Sequence, residues 1–373
     1  MKRILIVRSN PIAPDPRVEK IAAALSRGGY SVSVLGWDRT GALPHREERQ
    51  EYTVERLAIK AEYGRGMGNL PQLLRWQAGL IGWLLRHRLA FDFIHACDFD
   101  TILPALLCRG LFGKKVIYDI FDFYADHLRN TPPLVKKVIR AVDYGAINRA
   151  DGVILVDESR RQQIAGSRPR RLEVIYNSPE DWRSQPLPGK VDDEVSLRVA
   201  YVGLLQVERG LLEMIEVFRR HPDWHLDLAG FGGDEQKIYA QTAGMANIAW
   251  HGRIPYQQAL ALSQAADVLF ATYDPAIPNH RYSSPNKLFE AMMLGKPVIV
   301  SSQTNIDAIV LKEECGLVVP YGNIDQLDAS LSVLAQNREL RQQLGKNARR
   351  AYESCYSWSQ MSERLLRLYR TIA

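Results

Sequence analysis

Glu290 is the residue whose surroundings most demand a chemical explanation. It stands in YSSPNKLFEAMMLGKPVIV, residues 282–300, where Leu288, Phe289, Met292 and Met293 recur at helical spacing and build an apolar face. A carboxylate embedded among such residues is costly unless something hydrogen-bonds it. The hydroxyl pair of a ribose is such a partner, and the nearby start of the same helix favours an anionic diphosphate. The plainer alternative is a helix glutamate pointing to solvent. A second group of acids, Asp119, Asp122 and Asp126 in YDIFDFYAD, supplies carboxylates able to accept a proton from a hydroxyl.

These residues need elements to hold them. Pro285 is placed to open the helix, where its missing N–H loses no partner, and Gly295 to end it in the left-handed conformation before the strand Val298–Val300. The same alternation of apolar strand and amphipathic helix runs through the chain, the pattern of parallel sheets with crossover helices. In the first half it predicts strands at Ile4–Val7, Ser31–Leu35, Phe93–Ala96, Val116–Tyr118, Val153–Val156 and Leu172–Ile175. In the second half they fall at Arg198–Val202, His225–Leu228, Ile248–Trp250, Val268–Ala271, Val298–Val300 and Leu317–Val319. Helix Val18–Arg27 carries Val18, Ile21, Ala22 and Leu25 on one face and stops at Gly28-Gly29. The proline- and charge-rich stretch Asn177–Asp193 breaks the pattern and marks a boundary. The expected architecture is α/β, two doubly wound Rossmann-like domains facing across a cleft, with ligands outside the carboxyl ends of the strands. The domains are expected at 1–180 and 190–355, with a C-terminal helix, 356–373, that either finishes the second domain or crosses back to the first.

Length and composition agree with two soluble domains: 373 residues, 46% hydrophobic and 24% charged. No run approaches the length of a membrane span, the N-terminus reads as a strand rather than a signal peptide, and the four cysteines have no metal-ligand or disulfide spacing. A reducing cytoplasm is the expected home. The net charge of +6 is uneven: residues 1–189 carry 29 Lys and Arg against 21 Asp and Glu, the remainder 19 against 21. A basic first half suits an anionic lipid or acceptor; nucleic acid is not expected, since no finger, basic zipper or RNA-binding signature is present.

Five segments in order, PDPRVEKIAAALSRGGYSVSVLG, VIYNSP, YVGLLQVERGL, AGFGGDE and PNKLFEAMMLGKPVI, resemble family 4 glycosyltransferases, retaining enzymes of the GT-B fold. The resemblance spans nearly the whole chain and rests on that order, since a lone Gly230-Phe231-Gly232 is common. It implies a nucleoside diphosphate sugar, UDP or GDP type, bound by the second domain. Glu290 would hold the ribose, and Arg209 with the amides of Gly203–Gly210 the diphosphate. Gly203 and Gly232 would admit backbone close to the ligand, and Arg253 would lie near the base. Tyr282 stands where the family places a first glutamate, leaving Ser283, Ser284 and Asn286 to contact the sugar. Phe121 stands where the family often has a histidine, and Leu204 and Leu205 where many members have a basic residue.

That leaves Asp119 and Asp122, beside Arg209 on the diphosphate, as candidate catalytic groups, with Asp122 at the strand end the leading acid; a helix cap flanked by solvated acids is the alternative. Asp126 and Tyr124, with Phe121 and Phe123, would form an acceptor platform. His95, at the end of FDFIH ahead of Asp98 and Asp100, and Arg17, in the turn APDPRVEK, either join it or support packing. No metal or other cofactor is implied, because cations and helix dipoles stabilise the departing diphosphate. Leu70–Phe91, with two tryptophans and flanking arginines, suits either a helix lying in a lipid interface or one packed on the sheet. Pro132–Lys137 and Arg140 would extend such a surface. The whole describes a cytoplasmic glycosyltransferase, peripheral on the inner face of the plasma membrane, acting on a glycan or lipid-linked glycan in surface polysaccharide synthesis. The alternatives are a nucleotide-sugar epimerase and a catalytically degenerate relative that binds glycan or partners an active transferase.

Overall fold

The structure, a computed structural model, describes residues 1–62, 70–128, 131–182 and 196–372. The boundary stretch therefore lies outside the described residues from position 183 onward. The chain forms two compact units, Met1–Tyr176 together with the segment from Met361 on, and Asn177–Gln360.

The first unit is built from β1 (Arg3–Arg8), α1 (Pro16–Arg27), β2 (Ser31–Asp38), β3 (Arg46–Glu48), β4 (Thr53–Ala58), α2 (Leu70–Arg86), β5 (Phe93–Cys97) and α3 (Phe99–Phe112). It continues with β6 (Lys115–Ile120), α4 (Tyr124–His127), α5 (Pro133–Arg149), β7 (Gly152–Leu155) and β8 (Leu172–Val174). The strands pair in the order β3-β4-β2-β1-β5-β6-β7-β8, parallel except at β3–β4. Apolar runs such as Ile4–Val7, 1% exposed or less, need a cover on both faces, as parallel strands do. Helix α1 starts where Asp15 accepts the Val18 N–H at 3.2 Å and Pro16 occupies the first turn. Its Val18, Ile21, Ala22 and Leu25 are all buried, as their spacing predicts.

Two strands, β3 and β4, have no counterpart in the sequence reading, and the reason is chemical. The inward position two after Val54 is Arg56, 1% exposed, whose guanidinium donates to the carbonyls of Pro11 at 2.7 Å and Pro44 at 3.0 Å and to Glu47 at 2.6 Å. A buried arginine with its donors satisfied fills a core position without an apolar signature. Helix α2 takes the second of the two placements expected for it, packed on the sheet. Its tryptophans face the core rather than a lipid interface: Trp76 is buried and stacked on Trp37 at 5.1 Å, and Trp83 stacks on His87 at 4.2 Å and Phe91 at 6.5 Å.

The second unit runs β9 (Leu197–Leu204), α6 (Leu211–Arg220), β10 (Trp224–Phe231), α7 (Glu235–Gln241), β11 (Ile248–Gly252), α8 (Tyr256–Ala265), β12 (Val268–Ala271), α9 (Asn286–Leu294), β13 (Val298–Ser301), α10 (Ile306–Glu313), β14 (Gly316–Val319), α11 (Ile324–Gln336) and α12 (Arg338–Ala351). Its parallel strands pair in the order β11-β10-β9-β12-β13-β14, with the reversal of strand order beside β9. Helix α9 begins one residue after Pro285, which caps it, and ends at Gly295 with φ 67°. The last helix, α13 (Trp358–Ile372), buries Met361, Leu365, Leu368 and Tyr369, and from Met361 on it belongs with the first unit. Met361 Sδ accepts the Tyr176 N–H at 3.2 Å. Among the described residues no helix is long and apolar enough to cross a membrane.

Candidate active site

In the second unit, side chains gather outside the carboxyl ends of β9 and β12, beside the point where strand order reverses, which is where open α/β sheets bind ligands. Strand β9 delivers Tyr201 and Gly203. The loop after it makes a short turn, Val207–Arg209, before Gly210 turns the chain into α6. That loop is tied to the segment after β12: Thr272 Oγ1 donates to the Arg209 carbonyl at 2.7 Å, the Asp274 N–H to the Glu208 carbonyl at 3.1 Å, and His280 Nε2 lies 3.4 Å from Glu208. So held, the Arg209 guanidinium sits 4.4 Å from the centroid of the Tyr273 ring and donates to Gln206 at 3.3 Å. Its Nε is buried without a hydrogen-bond partner.

The second cation of this site is not among the residues expected from the sequence. Lys287, in the first turn of α9, places its ammonium 4.3 Å from the centroid of Tyr201 and 5.9 Å from that of Tyr273. Burial, with the Arg209 charge adding to it and Glu290 opposing, lowers the Lys287 pKa to about 7. Burial likewise pushes the Tyr273 phenol up to about 12, against the pull of Arg209. A methyl group on Gly203 would come within 2.6 Å of Lys287 Cε and Nζ, so the glycine at the strand end is what leaves room for the lysine. The signal was available: Lys287 and Glu290 are three apart on one helix and share a face.

Glu290 is half-buried and accepts a hydrogen bond from the Tyr256 hydroxyl at 3.0 Å. Burial and the Glu290 charge raise that phenol well above its ordinary range, and Trp182 packs edge-on to its ring at 6.4 Å. Arg253 lies over Phe231 at 4.7 Å, beyond the ends of β10 and β11. Tyr282 is half-buried at the end of the turn Pro278–Tyr282, Ser283 Oγ lies 3.5 Å from the Asn279 carbonyl, and the buried Ser284 gives its carbonyl to Asn177 at 3.0 Å. Asn286 is exposed at the helix start. Gly232 differs from the expectation. A side chain there would collide with the backbone of Leu205, so this glycine lets the loop bearing Arg209 pack on the chain after β10, rather than admitting a ligand.

The first unit has its own polar assembly at the carboxyl ends of β1, β5 and β6. Asp119 is fully buried; Arg17 donates to it at 2.9 and 3.2 Å, and His95 Nε2 lies 3.3 Å away. Arg17 also donates to the Ile175 carbonyl at 2.8 Å, and His95 Nδ1 meets the Tyr369 hydroxyl at 2.8 Å. Burial alone would raise the Asp119 pKa, yet the Arg17 charge and His95 hold it below the ordinary carboxylate range. A buried, ionised and doubly held carboxylate is no proton acceptor for a substrate. Asp119, Arg17 and His95, expected as catalytic or acceptor-binding groups, instead brace the sheet.

Asp122 is the most accessible of the three acids, its side chain 41% exposed, and accepts from Arg160 at 3.0 Å. Asp126 accepts from Arg140 at 2.6 Å and Gln163 at 2.8 Å, and Tyr124 stacks on Phe99 at 5.2 Å. Phe121 lies under two guanidinium groups, Arg8 at 4.1 Å and Arg17 at 4.9 Å. Arg8 is ion-paired with Asp98, whose carboxylate also accepts the N–H groups of Phe121 at 2.8 Å and Asp122 at 3.3 Å. Asp98 has φ 66°, an unusual conformation for a non-glycine residue. Burial raises its pKa to about 6, Arg8 opposing and Asp122 and Asp100 adding. Arg8 and Asp98 went unassigned in the sequence, where an arginine ending an apolar strand carries no mark.

Two parallel-stranded α/β units, one with a cationic site at a strand-order reversal, define the GT-B class, and solved structures agree. Sucrose-phosphate synthase from Thermosynechococcus elongatus matches over 100% of this chain and 99% of its own with a TM-score of 0.80 at 18% identity. HepE of Anabaena in complex with UDP-glucose matches over 100% of both chains with a TM-score of 0.71 at 14% identity. Residues 13–178 match the glycosyl transferase 4-like domain and residues 190–351 the group 1 glycosyl transferases. The chain belongs to the family 4 type of glycosyltransferases and is a transferase enzyme. Among its relatives, spore coat protein SA of Bacillus subtilis is 25% identical over 75% of this chain and 78% of its own length. The D-inositol 3-phosphate glycosyltransferase of Rhodococcus jostii is 24% identical over 84% and 69%.

Proposed function

We propose that the protein moves a sugar, with retention of configuration, from a nucleoside diphosphate sugar to a glycan or lipid-linked glycan in surface polysaccharide synthesis. The observation that carries the donor half is the pair Arg209 and Lys287 flanking Tyr273, with Glu290 one turn further along the same helix. Two cations this close repel one another, and an anionic diphosphate between them relieves that repulsion. Glu290, oriented by Tyr256, holds the ribose hydroxyls. The UDP and UDP-glucose bound in the HepE structures support a donor of this kind. The cations do the work that a bound metal would otherwise do on the leaving group, so no cofactor is called for.

In the reaction the acceptor oxygen bonds to the anomeric carbon on the face from which the diphosphate leaves. The acceptor proton passes to a diphosphate oxygen as the carbon–oxygen bond to phosphate breaks. Asp122, with Arg160 fixing it, orients a hydroxyl of the sugar or the acceptor; Tyr124 and Asp126 line the acceptor side. The enzyme works at the inner face of the plasma membrane.

Calorimetric titration of UDP, GDP and ADP and their common sugar forms, on the wild type and on Glu290→Ala, tests this. One nucleotide should bind well and the substitution should weaken it, with donor hydrolysis lost in parallel. A wild-type protein that binds none of them, or a Glu290→Ala protein that hydrolyses donor normally, overturns the reading.

A further inference from the structure

Large apolar side chains are not scattered evenly over the surface. Of the 18 that are exposed among the described residues, 11 fall between Leu70 and Val142. They sit on α2, α3 and α5 or next to their ends. Helix α2 carries the chain from β4 to β5, α3 from β5 to β6, and α5 from the end of β6 to β7, all in one direction across the sheet. Right-handed crossovers therefore set the three in one layer, while α1, running the opposite way from β1 to β2, lies on the other face. Within the layer α3 packs on both α2 and α5.

The outer side of that layer is apolar in stripes. Leu103, Leu107 and Leu111 follow one another at four-residue spacing on α3, and Leu134, Val138 and Val142 do the same on α5. Leu134 is 73% exposed, and Leu74 on α2 is 61% exposed. Stripes of this size on the outside of a folded domain mark a surface that meets something else.

Charge decides what that is. The three helices present no exposed carboxylate: Asp100 is half-buried at the start of α3, and Asp143 is buried and bonded to the Tyr118 hydroxyl at 2.8 Å. Arg75, Lys137 and Arg149 are exposed, and Lys136 is half-exposed beside Lys137. A second copy of this surface would set cation against cation. Protein interfaces favour aromatic residues and disfavour lysine, whereas these stripes are aliphatic, and the most exposed of them, on α5, carries Lys136 and Lys137. Aliphatic side chains among cations suit lipid headgroups and the acyl chains just beneath.

We propose that the outer face of α2, α3 and α5 docks on a bilayer containing anionic lipid, without spanning it. The surface shares Leu70, Leu74 and Arg75 of α2 and Leu134 and Lys137 of α5 with the one the sequence suggested; it adds α3 and leaves out the tryptophans, which are core residues. The inference rests on the reading above only in giving its lipid-linked acceptor a place, and the donor site plays no part in it.

Sedimentation of the full chain with vesicles of phosphatidylcholine, with and without phosphatidylglycerol, tests it. The wild type should sediment with the anionic vesicles and be released by salt. The double substitution Leu107→Glu with Val138→Glu, both on the solvent side, should lower the partition by about tenfold. Lys136→Ala and Lys137→Ala should each lower it by about fivefold, on anionic vesicles only. Lys287→Ala should sediment as wild type, and the double variant should bind nucleotide as wild type, which separates this outcome from failure at the donor site. Wild type that stays in solution with both vesicle types overturns the proposal, as does a double variant that sediments normally. A concentration-dependent dimer that the double variant abolishes, with no vesicle binding, assigns the face to a protein contact and overturns it equally.

Discussion

The two polar assemblies of this protein are wired in opposite ways. In the first unit charges come paired: Arg17 with Asp119, Arg8 with Asp98, Arg160 with Asp122, Arg140 with Asp126. In the second, Arg209 and Lys287 approach two tyrosine rings rather than a carboxylate, and the buried Nε of Arg209 has no hydrogen-bond partner. The buried pair of the first arrangement, Arg17 with Asp119, is complete in itself and contributes to holding the sheet. The second is completed by an anion from outside. An acid in a strongly patterned sequence is thus a poor guide to catalysis until its partners are known, and an uncompensated cation is a better one.

The largest test of this contrast is Arg17→Ala. It leaves the Asp119 carboxylate buried with its main counter-charge gone, and should cost about 3–5 kcal/mol of stability in urea unfolding. A variant that unfolds like the wild type but loses transferase activity would move Asp119 and Arg17 back into the reaction and erase the distinction. Lys287→Ala should do the reverse. Nucleotide affinity should fall about 10- to 100-fold by calorimetry, the loss of one charge-assisted hydrogen bond to phosphate, while stability stays level or rises.

The pH dependence sharpens the same point. Lys287 titrates near pH 7 in the folded protein and near its ordinary value, well above, when unfolded. Between those values the unfolded chain holds the extra proton, so this lysine makes stability rise with pH across the window and lowers it below about pH 7. Nucleotide binding needs the cation and should weaken over the same range, by up to about tenfold per pH unit. Lys287→Ala should flatten both trends. Gly203→Ala, whose methyl would displace the ammonium, should weaken nucleotide binding by less than removal of the lysine does. The smallest effect belongs to Tyr256→Phe: Glu290 loses one hydrogen bond at a half-exposed position, and affinity should drop only a few-fold.

The sheets were largely legible because buried parallel strands leave continuous apolar runs, and Ile4–Val7 or Val298–Val300 have little other use. What escaped was polar. Arg56 fills an inward position of β4 that an apolar residue would have announced, and β3 is a three-residue edge strand of charged residues. The site followed the same rule. Glu290 and Arg209 could be found because they sit in ordered motifs, and Lys287 could have been found from its spacing to Glu290. Tyr256 could not, since it comes from the start of α8, 34 positions earlier, and only the fold brings its hydroxyl to the carboxylate. The tryptophans of α2 left two placements open because amphipathic spacing shows that a helix has two faces without saying which one meets water.

The return of α13 sets an order of events during synthesis. The first unit opens with β1 yet takes part of its core, Tyr369 against His95 and Met361 against Tyr176, from residues made after the second unit. The second unit, continuous from Asn177 to Gln360, has its whole complement of strands once Val319 is out. The half that is translated first is therefore finished last. A ribosome that stops at Gln360 releases one complete unit and one open one.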